Sequence, residues 1–276
     1  MNSFTPNKPL WLIKLGGSII TDDQEFMTSR DDIITNVLFL LAEYSEQYQF
    51  VIVHGAGSFG HPLAKSYKLS KGFQFDRQNF GVVLTHNAML DLNHLLVEIG
   101  QKLGLHLVSF PPISSVITNN GRIKNWNLKS LTLALSQGFI PVIFGDVVFD
   151  ESIQFTILSG DQIVPYLANQ LNASKIVMLT DVDGVYSKNP KFNPSAYLIN
   201  EINVLDEDLL KQIFSTENNS GKIRVTGEMG KKLDELIPIL RKGIETFVIS
   251  GLKSEFLRSH LEGKKPYLGT KLLAKE

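Results

Sequence analysis

Short apolar runs that end in glycine or small polar turns, with stretches of helical period between them, constrain this chain more than any other feature. Leu10–Leu15, Phe50–Val53, His106–Phe110, Phe139–Phe144, Lys175–Thr180 and Thr246–Gly251 are too short for buried helices and rich in β-branched and aromatic residues. They predict buried strands. Between them, Asp31–Tyr48 sets Ile33, Ile34, Val37, Leu38, Leu41 and Tyr44 at helical spacing, with Ser29 or Asp31 as cap. Phe80–Leu103, Asn127–Gln137, the stretch from Gly160 to Leu171, Asp206–Phe214, Glu228–Lys242 and Phe256–Leu261 also predict helices. Asp146–Phe149 and Gln154–Ile157 flank Asp150-Glu151-Ser152 as a hairpin. Buried strands alternating with helices imply an α/β protein whose mainly parallel sheet is covered on both faces. Such sheets bind ligands where strands end and loops begin.

Those loops carry anion-binding chemistry. Phe50–Val53 runs into His54-Gly55-Ala56-Gly57-Ser58-Phe59-Gly60-His61 and then a helix through Pro62-Leu63-Ala64-Lys65. Glycines let the backbone approach a ligand, and N–H groups opening a helix favour negative charge. His61, about one turn into that helix, adds an N–H donor. Lys14 ends the first run beside Gly16, Gly17 and Ser18, placed to meet a phosphate held by the loop; the plain alternative is a lysine snorkelling from a strand end. GxxxxGK[ST] is absent, and Gly55–Gly60 matches GxGxxG without the acidic residue ~20 positions on that the dinucleotide motif requires.

Ser159-Gly160-Asp161 puts an aspartate at a helix start, either as a cap or as a partner for Lys14. Thr180–Pro190 (TDVDGVYSKNP) combines a turn, carboxylates and an aromatic ring suited to a nucleoside, or forms a plain Asp-Gly turn. Thr226–Lys232 opens a helix with lysines, against the macrodipole, which a bound anion would offset. His54 reads as packing or bonding within its loop. His86, His94, His106 and His260 show no metal-ligand spacing and read as ordinary polar or core residues.

Composition removes other classes of function. At 276 residues, 43% hydrophobic and 20% charged, the chain is an ordinary globular one, of one large α/β domain or two small ones. A net charge of −1 gives no global field to recruit nucleic acid or an anionic membrane. The absence of cysteine excludes disulfides, thiolate nucleophiles and cysteine metal ligands. Met1–Pro9 lacks the pattern of a signal peptide, and no apolar run reaches the ~20 residues of a membrane helix. A cytoplasmic protein without nucleic-acid or membrane partners is expected.

In order, KLGGS from Lys14, HGAGSFGH from His54, GDVV from Gly145, SGD from Ser159, TDVDGVYSKNP from Thr180 and VTGEMGKK from Val225 resemble the amino acid kinase superfamily over about Leu10–Leu272. Within it, HGAGSFGHP with SGDQ and TDVDGVYSKNP is most similar to the isopentenyl phosphate kinases, and next to the fosfomycin kinases. The resemblance implies a three-layer αβα sandwich with an open, mainly parallel central sheet. Residues 1–170 would bind the phosphoryl acceptor and 171–276 would bind ATP, within one continuous domain. It implies ATP-dependent phosphorylation of isopentenyl phosphate, or a similar small alkyl phosphate, to the diphosphate. Lys14 and Lys232 would flank the transferring group, held by Asp161. Gly16, Gly17, Ser18 and Gly57 would line the ATP phosphates, with Asp181, Tyr186 and Gly227 around the nucleoside. Ala56, His61 and Gly145 would contact the acceptor, His61 through its phosphate. Val82, Thr85, Val147 and Ile157 match positions near its apolar tail. Mg²⁺ would ride mainly on the ATP phosphates, without dedicated protein ligands, and the protein would be a homodimer.

A phosphate monoester has a second pKa near ~6, so the acceptor is already an anionic nucleophile at neutral pH and needs no general base. Alignment of two anions and neutralisation of charge remain as the enzyme's tasks. Two residues depart from the family's pattern. Ile20-Thr21-Asp22-Asp23 puts a carboxylate at Asp23 where a lysine is usual, and Glu228 replaces a glycine. A kinase for fosfomycin or another small phosphate or phosphonate, and a non-catalytic nucleotide-binding protein on the same fold, are the competing expectations.

Overall fold

The structure, a computed structural model, describes residues 8–188, 190, 192–206, 210 and 235–275. Its first half runs β1 (Leu10–Leu15), α1 (Gly17–Ile20), α2 (Asp31–Glu43), β2 (Gln49–His54), α3 (Gly57–Ser66), α4 (Arg77–Lys102), β3 (Leu107–Ser109), β4 (Val116–Asn119) and β5 (Arg122–Trp126). There follow α5 (Lys129–Ser136), β6 (Ile140–Phe144), β7 (Asp146–Asp150), β8 (Gln154–Leu158), α6 (Gly160–Gln170), β9 (Lys175–Thr180), β10 (Glu201–Asn203), β11 (Glu245–Ser250), α7 (Ser254–Leu261) and β12 (Thr270–Leu273). Residues 235–240 are helical.

The main sheet has the order β10-β12-β11-β9-β1-β2-β6-β3. Its neighbours are parallel except β11 and β12. Side chains alternate across each strand, which sorts the two cores. Trp11, Ile13 and Leu15 of β1, with Phe50 and Ile52 of β2 and Val177 and Leu179 of β9, join the core under α1, α2, α4 and α7. Leu12, Val51, Val53, Ile176 and Met178 face the other way, against α5, α6 and residues 235–240. A one-residue slip would exchange the two sets, so burial on both faces fixes the register of every central strand. The expected three-layer αβα sandwich is the architecture found.

A smaller sheet, β5-β4-β7-β8, sits to one side. Its β7–β8 hairpin is the one foreseen around Asp150; the β4–β5 hairpin was not foreseen. Asp150 ties both together, accepting N–H bonds from Gly121 at 2.8 Å, Asn120 at 3.2 Å, Ser152 at 2.9 Å and Ile153 at 3.0 Å. Burial opposes its charge, but these donors together hold its carboxyl down to about 2. A third, small core of Leu69, Val147 and Phe155 packs beneath this sheet.

The start of α2 differs from expectation. Arg30 occupies the cap position without a side-chain cap, and Ser29 instead donates to Asp31 at 2.5 Å. Ser29 is held in a β-bridge to Thr21, which fixes it one residue outside the cap. The predicted helix Asp206–Phe214 lies largely outside the described residues; of the predicted Glu228–Lys242, residues 235–240 are helical and 228–234 lie outside the described residues. No described helix is long and apolar enough to cross a membrane.

Candidate active site

β1, β2, β6 and β9 end at one edge of the sheet, and a cleft of about 600 Å³ opens there. Two glycine loops form its floor. A Cβ on Gly17 would lie 2.8 Å from Gly57 Cα, and one on Gly57, at φ +47°, would lie 2.9 Å from the Gly17 carbonyl oxygen. Glycine is therefore required at both positions for the loops to touch. Thr21 fastens the junction, its hydroxyl donating to the Gly17 carbonyl at 3.0 Å and accepting the Ser58 N–H at 2.9 Å. α3 starts at Gly57 with no cap from the Ala56 side chain; of its opening N–H groups, that of Ser58 is taken by the Thr21 hydroxyl and those of Phe59 and Gly60 by the Ala56 carbonyl.

Lys14 points from β1 into the cleft and is only 7% exposed. Its ammonium pairs with the Asp161 carboxylate at the start of α6. Ser159 caps that helix, accepting the Asp161 N–H at 3.2 Å. With the cap taken by Ser159, the Asp161 carboxylate is left to hold Lys14, which settles the choice left open by the sequence. At the end of β2, level with Leu15, His54 is fully buried; its Nδ1 bonds the Gly55 carbonyl at 3.0 Å and its ring stacks on Phe144. Burial holds its imidazole down to about 4, so it is neutral and packs the loop as expected.

The opposite wall comes from α3, α4 and the β6–β7 junction. His61, exposed on α3, and Ala56, Gly145, Thr85 and Ile157 all line the cleft. So does Asp146, whose Oδ2 accepts from His86 Nδ1 at 2.9 Å while its Oδ1 accepts its neighbour Val147's N–H at 2.8 Å. Burial pushes the Asp146 carboxyl up, and the hydrogen bond to Asp146 pushes the His86 imidazole up. The pair thus retains a proton more readily than two isolated side chains would. At the rim, Gln162 docks the β4–β5 hairpin, accepting the Ile123 N–H at 2.8 Å and donating to the Gly121 carbonyl at 3.0 Å. Arg122 of that hairpin makes a two-pronged ion pair with Glu235, one prong at 2.8 Å.

Of the sequence-predicted residues, Lys14, Gly16, Gly17, Ser18, Ala56, Gly57, His61, Thr85, Gly145, Ile157 and Asp161 meet at this one cleft. Asp23 lines it too. Val82 and Val147 belong to the small core with Leu69 and Phe155, behind the lining. Asp181 and Tyr186 follow Thr180, which lines the cleft at the end of β9. Gly227, Glu228 and Lys232 lie outside the described residues. Sequence reasoning missed Asp146, although the GDVV motif contains it, and it missed His86, which carries no local signal of its partner.

The sequence model of the Amino acid kinase family matches residues 9–250. The chain belongs to that family. It is 33% identical over 272 residues to an isopentenyl phosphate kinase of Methanothermobacter thermautotrophicus, covering 96% of this chain and 99% of that protein. An isopentenyl phosphate kinase of Thermoplasma acidophilum is 31% identical over 264 residues, covering 95% and 99%. Among solved structures, one described as X-ray structures of isopentenyl phosphate kinase superposes with a TM-score of 0.82 at 30% identity, covering 95% of this chain and 99% of that one.

For an amino acid kinase, this cleft brings a buried lysine paired with a carboxylate and two touching glycine loops to one place. Among the described residues no group of three or more acidic or histidine side chains gathers as a metal cage. With Asp161 engaged by Lys14, this donor set fits a magnesium ion carried by a triphosphate better than one held by protein ligands.

Proposed function

We propose that this amino acid kinase transfers the γ-phosphoryl group of ATP to isopentenyl phosphate, giving the diphosphate and ADP. One observation carries the reading: in a chain alike end to end with isopentenyl phosphate kinases, a single cleft has the Lys14–Asp161 pair on one wall and His61, Ala56 and Gly145 on the other. An oxygen of the acceptor phosphate attacks the γ-phosphorus as the bond to the ADP oxygen breaks. Lys14, oriented by Asp161, neutralises charge developing on the transferred group, with Lys232 as the second cation. Gly16, Gly17, Ser18 and Gly57 carry the ATP phosphates, and Asp181, Tyr186 and Gly227 surround the nucleoside. His61 donates to the acceptor's own phosphate. Thr85 and Ile157 face its tail, backed by Val82 and Val147. Magnesium, bound through the ATP phosphates, adds further charge neutralisation. Residues 1–170 bind the acceptor and, through the loops after β1 and β2, the ATP phosphates, while 171–276 bind the rest of ATP, in a cytoplasmic homodimer; sedimentation of the purified protein tests the dimer.

His61→Ala tests the acceptor seat. Loss of a charge-assisted hydrogen bond of about 2 kcal/mol should raise the acceptor KM roughly thirtyfold and leave the ATP KM unchanged. An unchanged acceptor KM would remove the role. A panel of isopentenyl phosphate, fosfomycin and other small phosphates with ATP and Mg²⁺ tests the substrate. Preference for fosfomycin would replace isopentenyl phosphate, and ATP binding without turnover on any of them would leave a nucleotide-binding protein.

A further inference from the structure

A carboxylate is the wrong group to bury in an anion pocket unless something cancels it. Asp146 directly follows Gly145, lines the same cleft as His61 and Ala56, and is 1% exposed. Water cannot screen it, and a phosphate seated in that cleft would face its charge at low dielectric. Its hydrogen bonds come from the His86 imidazole and from backbone N–H groups of Val147 and Ile113. Of these donors, the imidazole alone can bring a full positive charge. α4 delivers it: His86 follows Thr85, which lines the cleft, and its ring, not itself part of the lining, bonds Asp146 Oδ2 at 2.9 Å.

We propose that His86 is a positioning residue of the acceptor seat, holding Asp146 as a charge-cancelled pair so that the β6–β7 turn can bind a phosphate. The proposal rests on the acceptor's phosphate occupying the seat beside His61 and Gly145. His86 touches no reacting atom. Without its proton, the Asp146 carboxylate would stand bare against the incoming phosphate, and affinity for that ligand would fall while the nucleotide side stayed intact. Removing the carboxylate as well would remove the repulsion. That reciprocity distinguishes charge cancellation from a structural strut, because a strut loses more with each partner removed.

The test uses the full-length protein saturated with a non-hydrolysable ATP analogue, with inorganic phosphate titrated by calorimetry. His86→Gln should weaken phosphate binding about tenfold, as expected when a close, poorly screened charge loses its opposite partner. His86→Gln with Asp146→Asn should return it to within about twofold of the wild type. Asp146→Asn alone should bind phosphate at least as tightly as the wild type; it is near isosteric and guards against misfolding of the histidine variant. Steady-state kinetics with isopentenyl phosphate should show the same pattern in acceptor KM, with the ATP KM unmoved. Unchanged phosphate affinity in His86→Gln, or no recovery in the double variant, overturns the proposal. A wild type that binds phosphate and follows this pattern, yet does not phosphorylate isopentenyl phosphate, overturns the assigned acceptor and leaves the role of His86 standing.

Discussion

Two lysines on neighbouring parallel strands are equally buried, at 7% exposure each, and their surroundings could hardly differ more. Lys14 lies near the end of β1 and pairs in register with Met178; Lys175 opens β9 opposite Trp11. Three residues of strand separate the two levels, about 10 Å, and the two side chains leave opposite faces of the sheet. Lys14 meets a carboxylate at the cleft. Lys175 is boxed by rings, 4.3 Å from the centroid of Trp11, 5.0 Å from Tyr267 and 5.3 Å from Phe247, with Glu245 at 3.7 Å. Burial pushes the Lys175 ammonium down, with Glu245 opposing. The difference teaches that burial alone does not mark a working cation. Lys175 satisfies its own packing, whereas Lys14 is paired with the oriented Asp161 carboxylate at the edge of an open space.

The largest expected effect separates these two roles directly. Lys14→Met should lower kcat by about 10³-fold, as loss of a preorganised transition-state charge does. Lys175→Met should leave kcat within about threefold and cost about 1–2 kcal/mol of stability through the lost cation–π contacts. Equal losses of kcat would dissolve the contrast. Acid should come next. Burial holds both His54, beneath the glycine loop, and His260, against the aromatic box, down to about 4, below the ordinary imidazole value of 6.5. Their folded pKa values are depressed, so their contribution to stability is full above pH 6.5 and is lost as pH falls toward about 4. Each is worth at most about 3 kcal/mol at that limit, and melting curves across this range in wild type and His260→Phe should show a shallower acid loss in the variant. A smaller change belongs to the cleft rim. Asp23→Lys replaces a carboxylate of the cleft lining by a cation and, if the ATP phosphates sit in this cleft as proposed, should raise kcat/KM about tenfold at low salt, less at high salt. The smallest concerns Thr85, whose buried hydroxyl has no hydrogen-bond partner in the structure. Thr85→Val should leave stability unchanged or raise it by up to about 1 kcal/mol. A weakened acceptor KM there would show that the hydroxyl serves the ligand.

The strands and their order of burial were legible because two-faced burial writes an unbroken apolar run, as in Phe50–Val53 and Phe139–Phe144. The β4–β5 hairpin was not. Arg122, Lys124 and Asn125 are exposed in β5, so the segment carries too little apolar pattern to stand out. Glu201–Asn203, the edge strand, and its neighbour Thr270–Leu273 are only three and four residues long, which leaves the same weak trace. In the cleft, Lys14, the glycines and His61 announced themselves by residue type and local context. The pairing of Lys14 with Asp161, 147 residues apart, was an open alternative until the fold brought β1 and α6 together. His86 was read as ordinary because its meaning lies wholly in Asp146, 60 residues later.

The contact between Gly17 and Gly57 has a mechanical consequence. Two loops whose backbones touch, with Thr21 bonded to both, cannot slide independently. Any thermal excursion of one carries the other with it, so in the proposed reaction the spacing between donor and acceptor would be fixed by backbone rather than by side chains that hop between rotamers. Phosphoryl transfer loses rate steeply when reacting atoms drift by as little as ~1 Å. The interlocked turns act as a spacer of constant width, and an added methyl group at either glycine would reset that width for donor and acceptor at once.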